Sequence, residues 1–217
     1  NNKAGEYGGG IYASSSTLTV GNTKINNNKA GEYGGGIYAS SSTLIADNSA
    51  ISNNTAGTYG GGWYVVEATD NNAVLNNNTI SNNNASDNGG GVYLKTSNNA
   101  VLNDNTIHNN QASKNGGGVY IEEGTCTLSK NMISNNTAMM YGGGLYTVST
   151  TDVKTIKNII SNNKASNDGG GVFLKNSNKA VLNDNMISGN KASNNGGGVY
   201  LKDIDDAVLN DNTIHNN

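Results

Sequence analysis

Proline and arginine are absent from the 217 residues, and cysteine, tryptophan and phenylalanine occur once each. The lone Cys126 excludes an internal disulfide framework. Without Arg, every fixed positive charge is a Lys, and the lysines are scattered. The chain therefore offers no basic patch for a phosphate backbone, and nucleic acid is not an expected partner. No run approaches the roughly 18 apolar residues of a membrane helix, and no signal-peptide pattern is visible. One Trp and one Phe cannot organise a compact core, and hydrophobic residues make up only 34%, against about 45–50% in globular domains. Such polarity suggests disorder, but disorder goes with high net charge; here charged residues are 13% and the net charge is −3. What is abundant is Gly, at 30 residues, and Asn, about a fifth of the chain. A chain this polar and this uncharged requires a fold that satisfies amides in bulk.

The abundance is periodic. Triple glycines begin at Gly8, Gly34, Gly60, Gly89, Gly116, Gly142, Gly169 and Gly196, with spacings of 26 to 29 residues. Each triplet is followed by an apolar residue and then an aromatic: Tyr12, Tyr38, Tyr64, Tyr93, Tyr120, Tyr146, Phe173 and Tyr200. A second motif, Ile-x-x-Asn-x-Ala, starts at Ile25, Ile51, Ile80, Ile107, Ile133, Ile160 and Ile187. Its Asn column is Asn28, Asn54, Asn83, Asn110, Asn136, Asn163 and Asn190, extended by Asn2 and Asn217. A further Asn column is read just before the Ile, at Asn22, Asn48, Asn78, Asn105, Asn131, Asn158, Asn185 and Asn212.

Apolar residues alternate rather than recurring at helical spacing, and Gly triplets and Asn pairs oppose helices. The pattern predicts an all-β fold, a right-handed parallel β-helix (β-solenoid) of about eight coils of roughly 27 residues. Each coil is expected to carry three short strands and three turns. Residues 1–217 form one solenoid segment with both ends mid-repeat, which points to a longer parent chain and to end-to-end stacking of open edges. Alternation places Val92 and Leu94, Val119 and Ile121, Val172 and Leu174 inward and the aromatics between them outward. Trp63 falls in the inward column and is read as a local swelling of its coil. The Gly triplets suit sharp corners with positive φ, and the Asn columns suit amide ladders one rung apart.

The strings Ile25-Asn26-Asn27-Asn28-Lys29-Ala30 and Gly34-Gly35-Gly36-Ile37-Tyr38 resemble the repeat of the chlamydial polymorphic outer membrane proteins. Ile stands here for that family's Phe, and the third Gly for its Ala, so the likeness extends to right-handed β-helix surface proteins as a class. The resemblance implies an adhesive passenger or stalk, extracellular or at the cell surface.

β-Helices also carry polysaccharide lyases and hydrolases, but Arg, the usual base and clamp of such lyases, is missing, and no catalytic residues or cofactor are expected. Asp184 and Asp211 share a column, with Asp203, Asp205 and Asp206 in the loop between. Brought together they would make a calcium site; a solvated acidic loop is the simpler account. His108 and His215 share a column four coils apart, about 19 Å, too far to share a ligand. Cys126 is expected in the core. The outward aromatic ladder, a stripe about 34 Å long, is the leading candidate. It would serve lateral self-association or stack against polysaccharide or a host surface. A non-enzymatic structural or adhesive fibre module is the expected function. A carbohydrate-active or carbohydrate-binding β-helix is the alternative. An ice-binding face would need ranks of Thr, which here is scattered.

Overall fold

The computed structural model describes residues 1–67 and 73–217. All regular structure among them is β, in three parallel sheets of eight, twelve and eight strands. One coil shows the plan. Val92–Asn103 forms the first face, Thr106–His108 the second and Gln111–Ala112 the third. The chain then passes the next Gly triplet and restarts as Val119–Ser129. Like residues pair with like across rungs: Tyr93 with Tyr120, Ile107 with Ile133, Ala112 with Ala138. The first face departs from the expected short strand. It runs 12 residues in Val92–Asn103 and splits into Ile11–Ser14 and Thr17–Gly21 in the first coil. A left-handed residue in its middle, Thr96 at φ 48 or Asn176 at φ 49, bends the strand while the ladder continues on both sides.

The other bends are also left-handed and also stacked. The first Gly of each triplet has φ between 59 and 68, as the glycine pattern predicts. At the two remaining corners the column is mostly Asn or Asp, among them Asn27, Asn53 and Asn82, and Asn48, Asn77 and Asp104. These side chains tolerate that conformation by bonding locally. The second Gly of the triplet is required by closeness: a Cβ on Gly35 would lie 2.4 Å from the Gly61 carbonyl oxygen.

The inward columns make one dry core from Val20 to Ile187. Trp63 is fully buried in it and keeps the register of Ile37 and Val92. Small residues of the same cluster make room: Ala39 and Ala46 in the preceding coil and Ala73 in its own. Part of the longer spacing that follows Trp63 lies outside the described residues. Cys126 lies in the core, and burial pushes its thiol up to about 12.

Two polar ladders run beside this core. In the first, the backbone N–H and Nδ2 of each Asn both donate to Oδ1 of the Asn one rung on. Asn110 reaches Asn136 at 2.9 and 3.0 Å, and Asn136 reaches Asn163 at 2.9 and 3.0 Å. The other Nδ2 proton goes back to an Ile carbonyl of the previous rung, as from Asn136 to Ile107 at 2.9 Å. The series is unbroken from Asn2 to Asn217. Every buried donor and acceptor of these amides is thereby matched, which is what permits burial.

The second ladder follows the same rule from Asn78 through Asn105, Asn131, Asn158 and Asn185 to Asn212. It corrects the sequence reading in its first two rungs. Asn22 and Asn48 occupy left-handed corner positions. The ladder passes instead through Thr23, whose N–H donates to Ser49 Oγ at 3.1 Å, and Ser49, whose N–H donates to Asn78 Oδ1 at 3.0 Å. In every coil the corner lies three residues before the Ile and the ladder slot two, and in the early coils that slot holds a hydroxyl residue in place of Asn.

Candidate binding face

The Gly triplet folds the residue before it and the aromatic after it onto the same outer surface: the Tyr7 and Tyr12 rings are 6.4 Å apart. The outer face therefore carries two columns. In the first, the eight expected aromatics stack rung upon rung, from 4.6 Å between Tyr93 and Tyr120 to 5.4 Å between Tyr38 and Tyr64. The second is Tyr7, Tyr33 and Tyr59, then Asn88, Asn115, Tyr141, Asp168 and Asn195. Its tyrosines stack at 5.2 and 5.3 Å.

The expected exposed stripe is corrected here. Tyr64, Tyr93, Tyr120, Tyr146 and Phe173 are buried, although they point away from the core. Ring stacks on ring, and Tyr33, Tyr59 and Tyr141 pack over them. Tyr38 and Tyr200 are half-buried, while Tyr12 is 56% exposed. Burial raises the phenols, that of Tyr146 to about 12 and those of Tyr64, Tyr93 and Tyr120 well above 10.0. Tyr93 has a second cause, since its hydroxyl donates to Glu122 Oε2.

A third column lies two residues beyond the rings: Ser14, Ser40, Val66, Lys95, Glu122, Val148, Lys175 and Lys202. Where the second column is Tyr, the third is Ser or Val; where the second is Asn or Asp, the third is Lys or Glu. The coils thus alternate between apolar and polar cover. In the middle polar pair, Asn115 donates to Asn88 Oδ1 at 3.0 Å from Nδ2, and Lys95 approaches Glu122 to 3.8 Å. In the last polar pair, Asn195 Nδ2 donates to Asp168 Oδ1 at 2.8 Å. There the third column holds two lysines, Lys175 paired in register with Lys202. A groove of about 80 Å³ opens at this point, lined by Tyr141, Tyr146, Phe173 and Tyr200 and by Asp168, Lys175 and Lys202.

The other candidates do not assemble. Asp203, Asp205 and Asp206 lie on the strand Val199–Asn210. Asp211 follows that strand, roughly 16 Å beyond Asp206 at extended spacing, and Asp184 stands one rung below Asp211. The proposed calcium cluster is thereby corrected: among the described residues no three His, Cys, Asp or Glu side chains gather where they could hold a metal ion. His108 and His215 each contact the Asn that follows, Asn109 and Asn216, at 3.0 Å. The second face has no rank of Thr, because Met132, Ile159 and Met186 follow Thr79 and Thr106 in one column.

The family model for the right handed beta helix region matches residues 8–159, more than two thirds of the chain. The chain belongs to the right-handed β-helix family. Its sense of winding is the one expected from crossover chirality. Residues 143–217 of this β-helix also match the model for periplasmic copper-binding protein (NosD). No curated protein and no solved structure matches the chain. The β-helix does not fit a copper ion in the NosD-like part: the only imidazole or sulfur donors there are His215 and Met186, both exposed, on adjacent rungs of the second face. Two exposed donors fall short of the ligand sets that hold copper.

Proposed function

We propose that this β-helix is a non-catalytic, rod-like attachment module of the cell envelope, displayed at the surface or held in the periplasm. The observation that carries the reading is the uniformity of the stack. One continuous Asn ladder, a second polar ladder that is Asn from Asn78 onward and a stacked aromatic seam tie the coils together, and the outward columns vary from coil to coil. A scaffold that is repetitive inside and variable on its outward columns suits the presentation of contacts along a rod. An envelope location is supported by the match to a family described as periplasmic. Lateral self-association is confined in this reading to the open rings, Tyr12 with the half-buried Tyr38 and Tyr200.

Beads coated with the protein, passed over neutral polysaccharide, acidic polysaccharide and protein-coated surfaces, test the reading. Retention on at least one surface with no new reducing ends in the polysaccharides is expected. Cleavage of any polymer, or retention on none of the surfaces, overturns it.

A further inference from the structure

The aromatic seam is a run of phenols as well as a stack of rings. From Tyr38 through Tyr64, Tyr93 and Tyr120 to Tyr146 the ring centroids are 5.4, 5.0, 4.6 and 5.0 Å apart; Phe173 ends the run. Two second-column phenols connect it to solvent. Tyr59 lies 5.0 Å from Tyr93 and Tyr33 5.1 Å from Tyr64, and both are half-buried. A phenol gives up one electron readily only if its proton can leave too. Loss of the electron alone would leave a cation radical in a buried site, where an unpaired charge is costly. At Tyr93 the proton has a destination, because the hydroxyl donates to Glu122 Oε2 one rung on. Lys95 stands 3.8 Å from the other oxygen, Oε1, so Oε2 is left to the phenol. Among the described residues no other seam tyrosine is hydrogen-bonded to a carboxylate.

We infer that the seam is a one-electron relay that holds an oxidising equivalent as a neutral radical on Tyr93. The oxidant is a one-electron acceptor in solution, such as a peroxide-derived radical or an oxidised metal complex. Tyr59 gives its electron to the oxidant and its proton to water. It then recovers an electron from Tyr93 across the ring contact and a proton from water. As Tyr93 loses its electron, its O–H bond breaks and an O–H bond forms on Glu122, within the reach that proton transfer requires. In sum, the Tyr93 phenol and the Glu122 carboxylate become a phenoxyl radical and a carboxylic acid, and one electron passes to the oxidant. The pair loses its negative charge, so the step places no new charge in the seam. A small-molecule thiol reverses it by supplying one hydrogen atom. The relay consumes oxidants at the surface without coupling tyrosines of neighbouring molecules, a role that does not depend on attachment.

The test is flash photolysis of the whole chain with photogenerated tris-bipyridyl ruthenium(III) as oxidant. Tyrosyl radical is read by absorbance and electron paramagnetic resonance, and dityrosine by fluorescence. The folded chain should give a long-lived radical and little dityrosine, and in urea the same chain should give dityrosine instead. Tyr93→Phe keeps the ring in the stack but has no phenolic proton. It should lose the long-lived radical and gain dityrosine, because the hole stays on Tyr33 and Tyr59. Glu122→Gln should slow radical formation about a hundredfold, the lower end of what a positioned base contributes. Tyr200→Phe, beyond the break at Phe173, is the control and should behave as the wild type. A radical of wild-type yield and lifetime in Tyr93→Phe, or an unchanged rate in Glu122→Gln, overturns the inference. So does a wild-type chain that forms no long-lived radical, or one that behaves alike folded and in urea.

Discussion

The first three coils and the last two solve the same problem with different chemistry. In the first three, Tyr7, Tyr33 and Tyr59 cover the outer seam with a second column of rings, and the flanking positions are Ser or Val. In the last two, Asp168 and Asn195 bond to each other beside Lys175 and Lys202. The inner plan is shared: the inward columns and the first Asn ladder continue through every rung, while the second ladder holds Thr23 and Ser49 in the first two. The difference teaches which slots the fold constrains. A slot in the first ladder admits only Asn, the second ladder also admits a hydroxyl, and a slot on the outer face admits rings, amides or charges.

Disruptions of the shared interior should therefore have the largest effects. Raising the pH attacks the aromatic seam along its length. The folded pKa values of Tyr64, Tyr93, Tyr120 and Tyr146 are raised above the ordinary 10.0, and that of Cys126 above 9.0 to about 12. The unfolded chain therefore releases these protons first. Stability should be unaffected by these groups below about pH 9 and should fall as pH rises from there through 12, with tyrosinate absorbance appearing together with unfolding. Tyrosinate forming in full while the β signal persists would show that the seam is open to water.

A single interior ring comes next. Tyr120→Ser should cost about 3–5 kcal/mol in a urea titration, the loss expected for truncating a buried aromatic; a loss below 1 kcal/mol would mean that the ring serves a surface rather than the seam. The two outer solutions should be cheaper and similar. Tyr33→Asn and Asn115→Ala should each cost about 1 kcal/mol, and a much larger loss at either would show that the outer slots are not interchangeable. The smallest effect is a gain. Ser49→Asn would extend the second amide ladder into a rung now bridged by a hydroxyl, and should raise stability by about 0.5 kcal/mol. A loss there would show that the early rungs are built around the hydroxyl.

Much of this was legible before the structure. The inward columns and the first Asn ladder follow from strict periodicity, because a stacked coil repeats each side chain's surroundings. Asn22 and Asn48 misled because a corner and a ladder both favour Asn. Counting back from the Ile, three residues there against two from Asn78 onward, would have separated them. Alternation correctly sends Tyr93 away from the core but says nothing of what covers it. The cover comes from the residue just before each Gly triplet, which the turn brings alongside the ring. The signal was present in Tyr7, Tyr33, Tyr59 and Tyr141. The groove at Phe173 was visible only as the change from Tyr141 to Asp168, since its shape depends on ring tilts.

The central claim is that each ladder amide spends both its Nδ2 protons, one on the next rung's Asn and one on a carbonyl of the rung before. Hydrogen exchange of the Asn side-chain NH₂ groups, followed by NMR, reads this directly. The amides of Asn83, Asn110, Asn136 and Asn163 should exchange orders of magnitude more slowly than those of exposed Asn such as Asn82 and Asn109. Exchange of all four at the rate of the exposed amides would contradict the account.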